Sequence, residues 1–298
     1  MPLPTFIIAG APKCGTTALW MYLKEHPEVY MTNPIKEPRF FSDARGELEK
    51  AALGAGPIRS GTFHKGLKWY ESLFTASSDK PVRGEGSTQY FSVESSPKLI
   101  KSFLPDVKLI FLLRDPSERV YSHYWQEYKL GLKFPTFANM VKSNHPRLEH
   151  YCHVSCYKTH LKRYYDVFSN SHILVLLDVD LRKKPLETIQ KAYEFVGVDT
   201  EFVPSCLGTR FNKQMKPRLR LLQRMITNIS ASRLSDIFPD GSRPCLRWVT
   251  RSIRHMNLLP NEVPPLPKEI RAQLRDRFLD DIAYVEELQK CDLNAWRK

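Results

Sequence analysis

The first apolar run, TFIIA at residues 5 to 9, has the length of a short buried strand and is closed by Gly10. The segment that follows, TALWMYLKEHP, carries apolar residues at Leu19, Met21, Tyr22 and Leu23 and stops at His26-Pro27, which predicts a helix. VKLIFLLR at 107 to 114 is a continuous apolar run, the signature of a strand buried on both faces of a parallel sheet. Asp115 can cap the helix after it, with Pro116 in the first turn, where a missing N–H costs nothing. HILVLLDVD at 172 to 180 predicts another strand, between the helical patterns YKTHLKRYYDVF and PLETIQKAYEFVGV, the latter stopped by Gly197. Strands alternating with helices predict an α/β protein with a central, mostly parallel sheet flanked by helices in three layers.

Composition limits the classes without naming one. The chain has 298 residues with 42% hydrophobic content, and we expect a single domain over 1–298. Within it, 43–80 reads as a surface excursion and 210–260 as a basic, partly helical segment, followed by the connector NEVPPLP and a last helix from Lys268 to Cys291. The formal charge of +13 predicts anionic partners. No run approaches the roughly 20 apolar residues of a membrane span, and no signal-peptide pattern precedes the first strand. Six cysteines (Cys14, Cys152, Cys156, Cys206, Cys245 and Cys291) are too sparse for a disulfide scaffold and fit a reducing compartment. The expected location is the cytoplasm if the protein is bacterial, with the Golgi lumen as the alternative for a trimmed catalytic domain.

Chemistry concentrates after the first strand. In GAPKCGTT the glycines let successive N–H groups face one anion, a helix N-terminus adds partial positive charge, and Lys13, Thr16 and Thr17 add a cation and two hydroxyls. The loop is P-loop-like, yet a nucleoside-triphosphate loop places lysine directly after its second glycine, where this chain has Thr16.

PKCGTTAL resembles the 5′-phosphosulfate loop of sulfotransferases that use 3′-phosphoadenosine 5′-phosphosulfate (PAPS), and LIFLLRDPSERVYSHY is similar to their 3′-phosphate motif. NPIKEPRFF resembles the lysine and glutamate stretch of carbohydrate sulfotransferases, notably the heparan sulfate enzymes, and the tail ends in a leucine-x-x-tryptophan like that of bacterial members. The resemblance implies sulfuryl transfer from PAPS to a hydroxyl or amine, on a carbohydrate or glycosaminoglycan-like glycan, leaving 3′-phosphoadenosine 5′-phosphate (PAP). It implies Glu37 as the base and Lys13 at the bridging oxygen. Cys14, Gly15, Thr16 and Thr17 would hold the 5′-phosphate, and Arg114 with Ser122, eight positions on, the 3′-phosphate. Phe40 and Phe41 are expected to lower the polarity around Glu37. Arg39 stands where relatives often carry histidine, and Gly86 where heparan sulfate 3-O-type enzymes carry a lysine, so Lys36 and Arg39 are the candidate acceptor-binding cations.

The resemblance also implies a serine and a tyrosine near the nucleotide, for which Ser155 and Tyr157 are the candidates, and a basic loop closing over it, for which Lys213 is the candidate. HYCHVSCYKTH clusters histidine and cysteine, but ligands on one short helix converge poorly on a tetrahedral ion, so the expectation is a core helix and no metal. The basic segment reads as a cationic helix packed on the core, with an acidic glycan or a peripheral membrane contact as the sharper reading. No nucleic-acid partner is expected. A nucleotide-dependent kinase and a non-catalytic basic protein for anionic glycan or lipid are the alternatives.

Overall fold

The computed structural model describes residues 2–42, 61–77, 79–133, 135–209, 211, 215–231, 252–253, 256–260 and 263–297. Its centre is a five-stranded, wholly parallel sheet of β1 (Phe6–Gly10), β2 (Val29–Met31), β3 (Val82–Glu85), β4 (Lys108–Leu113) and β5 (Ile173–Leu177), in the order β2-β3-β1-β4-β5. β1 is buried at every position and β4 at five of six, as their unbroken apolar runs require. β4 and β5 run in register from Leu109↔Ile173 to Leu113↔Leu177. The last strand stops at Leu177, because Asp178 opens a helix rather than extending the apolar run.

The helices over this sheet are α1 (Thr16–Glu25), α2 (Leu67–Ser72), α3 (Ser96–Phe103), α4 (Pro116–Lys129), α5 (Phe137–Lys142), α6 (Pro146–His153), α7 (Tyr157–Tyr165), α8 (Asp178–Lys183) and α9 (Pro185–Val196). Asp115 caps α4, its carboxylate accepting from the N–H groups of Ser117 at 2.8 Å and Glu118 at 3.3 Å. Gly197 ends α9 in the left-handed conformation at φ 87°. Beyond these come β6 (Met215–Pro217), α10 (Arg220–Ala231), β7 (Leu258–Pro260), α11 (Lys268–Asp276), α12 (Leu279–Gln289) and α13 (Asn294–Arg297), with β6 and β7 an antiparallel pair.

Three expectations are corrected. Residues 61 to 77 are no mere excursion: Tyr70 and Phe74 are fully buried, and Tyr70 stacks on Phe40 with ring centroids 4.6 Å apart. The stretch around Cys152 is two helices, since α6 ends at His153 and α7 restarts at Tyr157, with Ser155 N–H turning back to the Cys152 carbonyl at 2.7 Å. The C-terminal helix also divides, at Arg277-Phe278, where Phe278 turns its ring fully into the core. Leu293 and Trp296 of the tail motif are buried. In the basic segment, α10 seats Gln223 and Ile226 inward while Leu221 and Met225 stand exposed.

Candidate active site

In an open parallel sheet, ligands bind beyond the carboxyl ends of the strands, where the strand order reverses. Most of the candidate side chains follow such ends: Lys13 to Thr17 after β1, Lys36 to Arg39 after β2, Arg114 after β4 and Ser122 in α4, the helix that β4 leads into. A cleft of about 1570 Å³ is lined there by Lys13, Gly15, Thr16, Thr17, Lys36, Glu37, Arg39, Arg114 and Ser122.

The loop between β1 and α1 bends sharply. Lys13 has φ 73° and Gly15 φ 92°. A side chain at Gly15 would strain that conformation, and its Cβ would meet Asp178 Oδ1 at 2.9 Å. Its N-cap, Gly15, has no side chain to cap α1 and no acidic residue stands in the first turn, so the N-terminal donors and dipole of α1 are available to an anion in the cleft. Lys13 Nζ donates to Gln126 Oε1 at 3.0 Å. Burial first, then the neighbouring Lys129, Arg114 and Arg119, lower the Lys13 ammonium to about 8. A cation held this far from its ordinary value has an unmet demand for negative charge.

Arg114 leaves the end of β4 between two carboxylates, with NH2 3.0 Å from Glu118 Oε2 and Nε 3.8 Å from Asp178 Oδ2. Its buried Nε has no hydrogen-bond acceptor among the described residues, an expensive condition for a guanidinium unless a ligand supplies the acceptor. Ser122 lies nearby on α4 and is 9% exposed.

On the opposite wall, Arg39 NH2 pairs with Glu37 Oε2 at 2.9 Å. Phe40 and Phe41 do not shield this carboxylate as expected. Their rings turn into the core, against Tyr70, Phe103 and, for Phe41, Tyr90, because the aromatic cluster buries more apolar surface than a polar loop could. Lys36 reaches the phosphate loop, where Nζ donates to Thr17 Oγ1 at 3.0 Å. Its stem passes over Gly86, whose missing Cβ would lie 3.4 Å from Lys36 Cε. Lys36 thus crosses the space beside the position where some relatives of the resembled family carry their lysine.

Cys14 and Tyr157 stand behind the cleft rather than in it. The Cys14 thiol is fully buried, 3.8 Å from the Tyr157 hydroxyl, and burial pushes it up to about 12. Tyr157 donates to the Arg114 carbonyl at 2.7 Å, which leaves it steadying the backbone of the cationic residue. Ser155 is likewise buried and accepts from Arg119 Nε at 2.5 Å. Lys213 lies outside the described residues, while Gly208, Thr209 and Phe211 just before it line the cleft. Among the described residues no group of three or more histidine, cysteine or acidic side chains is arranged to hold a metal ion.

Sequence reasoning missed several participants. Gln126, Arg119, Asp178 and Arg182 all lie within or behind the cleft, and Arg182 meets Asp178 at 2.6 Å. Only Asp178 had a signal, as the first polar residue after a buried strand. Val263 to Leu266, from the proline-rich connector, also line the cleft.

Known proteins agree with this geometry. The chain is 30% identical over 213 residues to the mouse bifunctional heparan sulfate N-deacetylase/N-sulfotransferase 4, covering 67% of this chain and 23% of that protein. It is 26% identical over 295 residues to the human bifunctional heparan sulfate N-deacetylase/N-sulfotransferase 2, covering 93% of this chain and 32% of that protein. The chain therefore spans a third or less of the length of these curated relatives. A crystal structure of a sulfotransferase from Alicyclobacillus acidocaldarius superposes with a TM-score of 0.70 at 23% identity, covering all of both chains, and shows the same fold. Residues 3–223 match the model of the sulfotransferase domain, and with the sheet, the loop after β1 and the Arg114 strand end all in place, the chain belongs to the sulfotransferase domain family.

Proposed function

We propose that the protein transfers a sulfuryl group from PAPS to an amine or hydroxyl of a glycosaminoglycan-like glycan. The observation that carries this reading is the pairing of two anion seats in one cleft: the glycine-capped α1 terminus with Lys13, and Arg114, whose Nε has no hydrogen-bond acceptor among the described residues. A nucleotide carrying separate 5′ and 3′ anionic groups needs such a pair. PAPS supplies an activated sulfuryl group on its 5′-phosphate.

Lys13, the N–H groups of Gly15, Thr16 and Thr17, and the two threonine hydroxyls would hold the 5′ end, and Arg114 with Ser122 the 3′-phosphate, its planar fork suiting a dianion. Lys36, hydrogen-bonded to Thr17, brings a second cation to the 5′ end. Arg39 engages Glu37 Oε2 and leaves Oε1 for the acceptor. Transfer forms a bond from the acceptor oxygen or nitrogen to sulfur, breaks the bond from sulfur to the bridging oxygen, and delivers the acceptor proton to Glu37. Lys13 stabilises the charge gathering on the departing phosphate, preorganised electrostatics of the kind that carries phosphoryl transfer. The N-sulfotransferase names of the curated relatives make a de-N-sulfated heparan chain the first acceptor to offer.

Calorimetric titration of PAP tests the reading. Wild type should bind PAP in preference to ATP with magnesium, and Arg114→Ala should weaken PAP by tenfold or more, the cost of losing a charge-assisted fork of about 2 kcal/mol. Glu37→Gln should retain PAP binding and lose transfer from PAPS to the glycan. Equal affinity of wild type and Arg114→Ala for PAP, or a preference for ATP with magnesium, would sink the reading.

A further inference from the structure

Below the loop that carries Glu37 lies a carboxylate to which the transfer assigns no task. Glu85, the last residue of β3, is fully buried and accepts three hydroxyl hydrogen bonds. Tyr70 and Tyr90 donate to its Oε1 at 3.0 and 2.8 Å, and Ser87 donates to its Oε2 at 2.5 Å. Two of these hydroxyls also work in the other direction. Ser87 Oγ accepts the Arg39 N–H at 2.8 Å, and the Tyr90 hydroxyl accepts the Phe41 N–H at 3.2 Å. Each hydroxyl has one proton, and the carboxylate takes it, so a lone pair is turned towards the loop backbone. Arg39 sits at φ 57°, a conformation a non-glycine residue holds only when its surroundings impose it.

We propose that Glu85 is a positioning residue: through the hydroxyls of Ser87 and Tyr90 it fixes the backbone at Arg39 and Phe41 and thereby aims the Glu37 carboxylate at the acceptor. The neighbouring bonds agree. Gly86 N–H donates to the Lys36 carbonyl at 3.1 Å, and Thr62 holds the Pro38 and Arg39 carbonyls at 2.8 and 3.0 Å, so the loop is pinned on both sides of Glu37. Burial pushes the Glu85 carboxyl up to about 7 against the pull of its three donors, a sign that it stays in the interior at a cost. A buried carboxylate whose side-chain partners among the described residues are three hydroxyls is a poor choice for stability alone, and an apolar side chain of similar volume would spare that cost.

The inference rests on Glu37 being the base, and its test separates the two. Glu85→Gln puts an amide NH2 opposite one hydroxyl, which reverses the direction of that bond and sets its proton against a loop N–H. Amide hydrogen exchange, followed by mass spectrometry without any substrate, should then speed up about tenfold or more in residues 37–42, the change expected when a local hydrogen bond no longer closes. The strand at 108–113 should stay protected, PAP affinity should stay at the wild-type level, and the loss in transfer should fall on kcat. Ser87→Ala and Tyr90→Phe should loosen the same peptide singly, and they decide the matter if Glu85→Gln does not fold. Unchanged exchange across 37–42 in all three variants overturns the proposal, as does loss of protection everywhere at once, the mark of a purely structural role. A loosened loop in an enzyme where Glu37→Gln keeps full activity would uphold the positioning of the loop and reject Glu37 as the base.

Discussion

Lys13 concentrates the electrostatics of the site at one atom. Its ammonium is lowered to about 8 in the free protein because burial and three cationic neighbours disfavour the charge. Anionic groups seated beside it reverse that preference and raise the value. Above about pH 8 the free side chain is largely neutral, so binding PAP must take up a proton, and affinity should fall as pH rises past that point, by up to about tenfold per unit. Below about pH 7 the ammonium is already charged, and affinity should level off. Calorimetry at about pH 8.5 in two buffers of different ionisation enthalpy reads the uptake directly, and Lys13→Gln should abolish it. The same residue shows what the sequence could tell. Its place after Gly10 marked it as an anion ligand, but its φ of 73° and its bond to Gln126, 113 positions away, depend on tertiary packing that no local pattern encodes.

Helix termini are where the elements of this fold do their separate work. Gly15 opens α1 at φ 92° and Gly197 closes α9 at φ 87°, yet a Cβ at Gly15 meets Asp178 and Leu112, whereas one at Gly197 comes near only Lys108 Nζ, at 4.0 Å, among the described residues. Gly197→Ala should therefore cost only the conformational penalty of about 1 kcal/mol in a denaturant melt, with PAP binding intact. Gly15→Ala should cost more than that and should also weaken PAP, since Asp178 or the α1 terminus must shift; equal effects of the two substitutions on PAP affinity would reject this view of the loop. The longer elements were legible because their apolar pattern is strong. β1, β4 and β5 are continuous buried runs, and α4 and α9 carry both their periodicity and their caps in the sequence. β2 and β3 were not, because three and four residues are too few to show a period, and VRGE presents one apolar side chain. Nothing in the sequence singled out Glu85 for that reason, and its burial is a consequence of strand pairing to β1 and β2.

Across the whole molecule, the formal charge of +13 acts on approach rather than on chemistry. Long-range attraction is screened beyond about 8 Å at physiological ionic strength, while contacts inside the cleft are not. Raising salt should therefore increase KM for an anionic glycan severalfold and leave kcat nearly constant, and steady-state kinetics at a series of salt concentrations would show it. A fall in kcat with constant KM would place the charge in the reaction itself. The family, the loop after β1 and the strand-end arginine were readable from the sequence. The connector at Val263 to Leu266 lining the cleft was not, because a proline-rich linker has no pattern that says what it covers. Similarity to the family model ends at residue 223, yet Arg271 of α11 returns to Asp115 at 2.7 Å and also engages Glu118, the carboxylate that holds Arg114. A version of the protein cut where that similarity stops would leave Asp115 without its arginine and Glu118 with Arg114 alone, so the segment by which the protein is recognised is shorter than the one that balances the charge around Arg114.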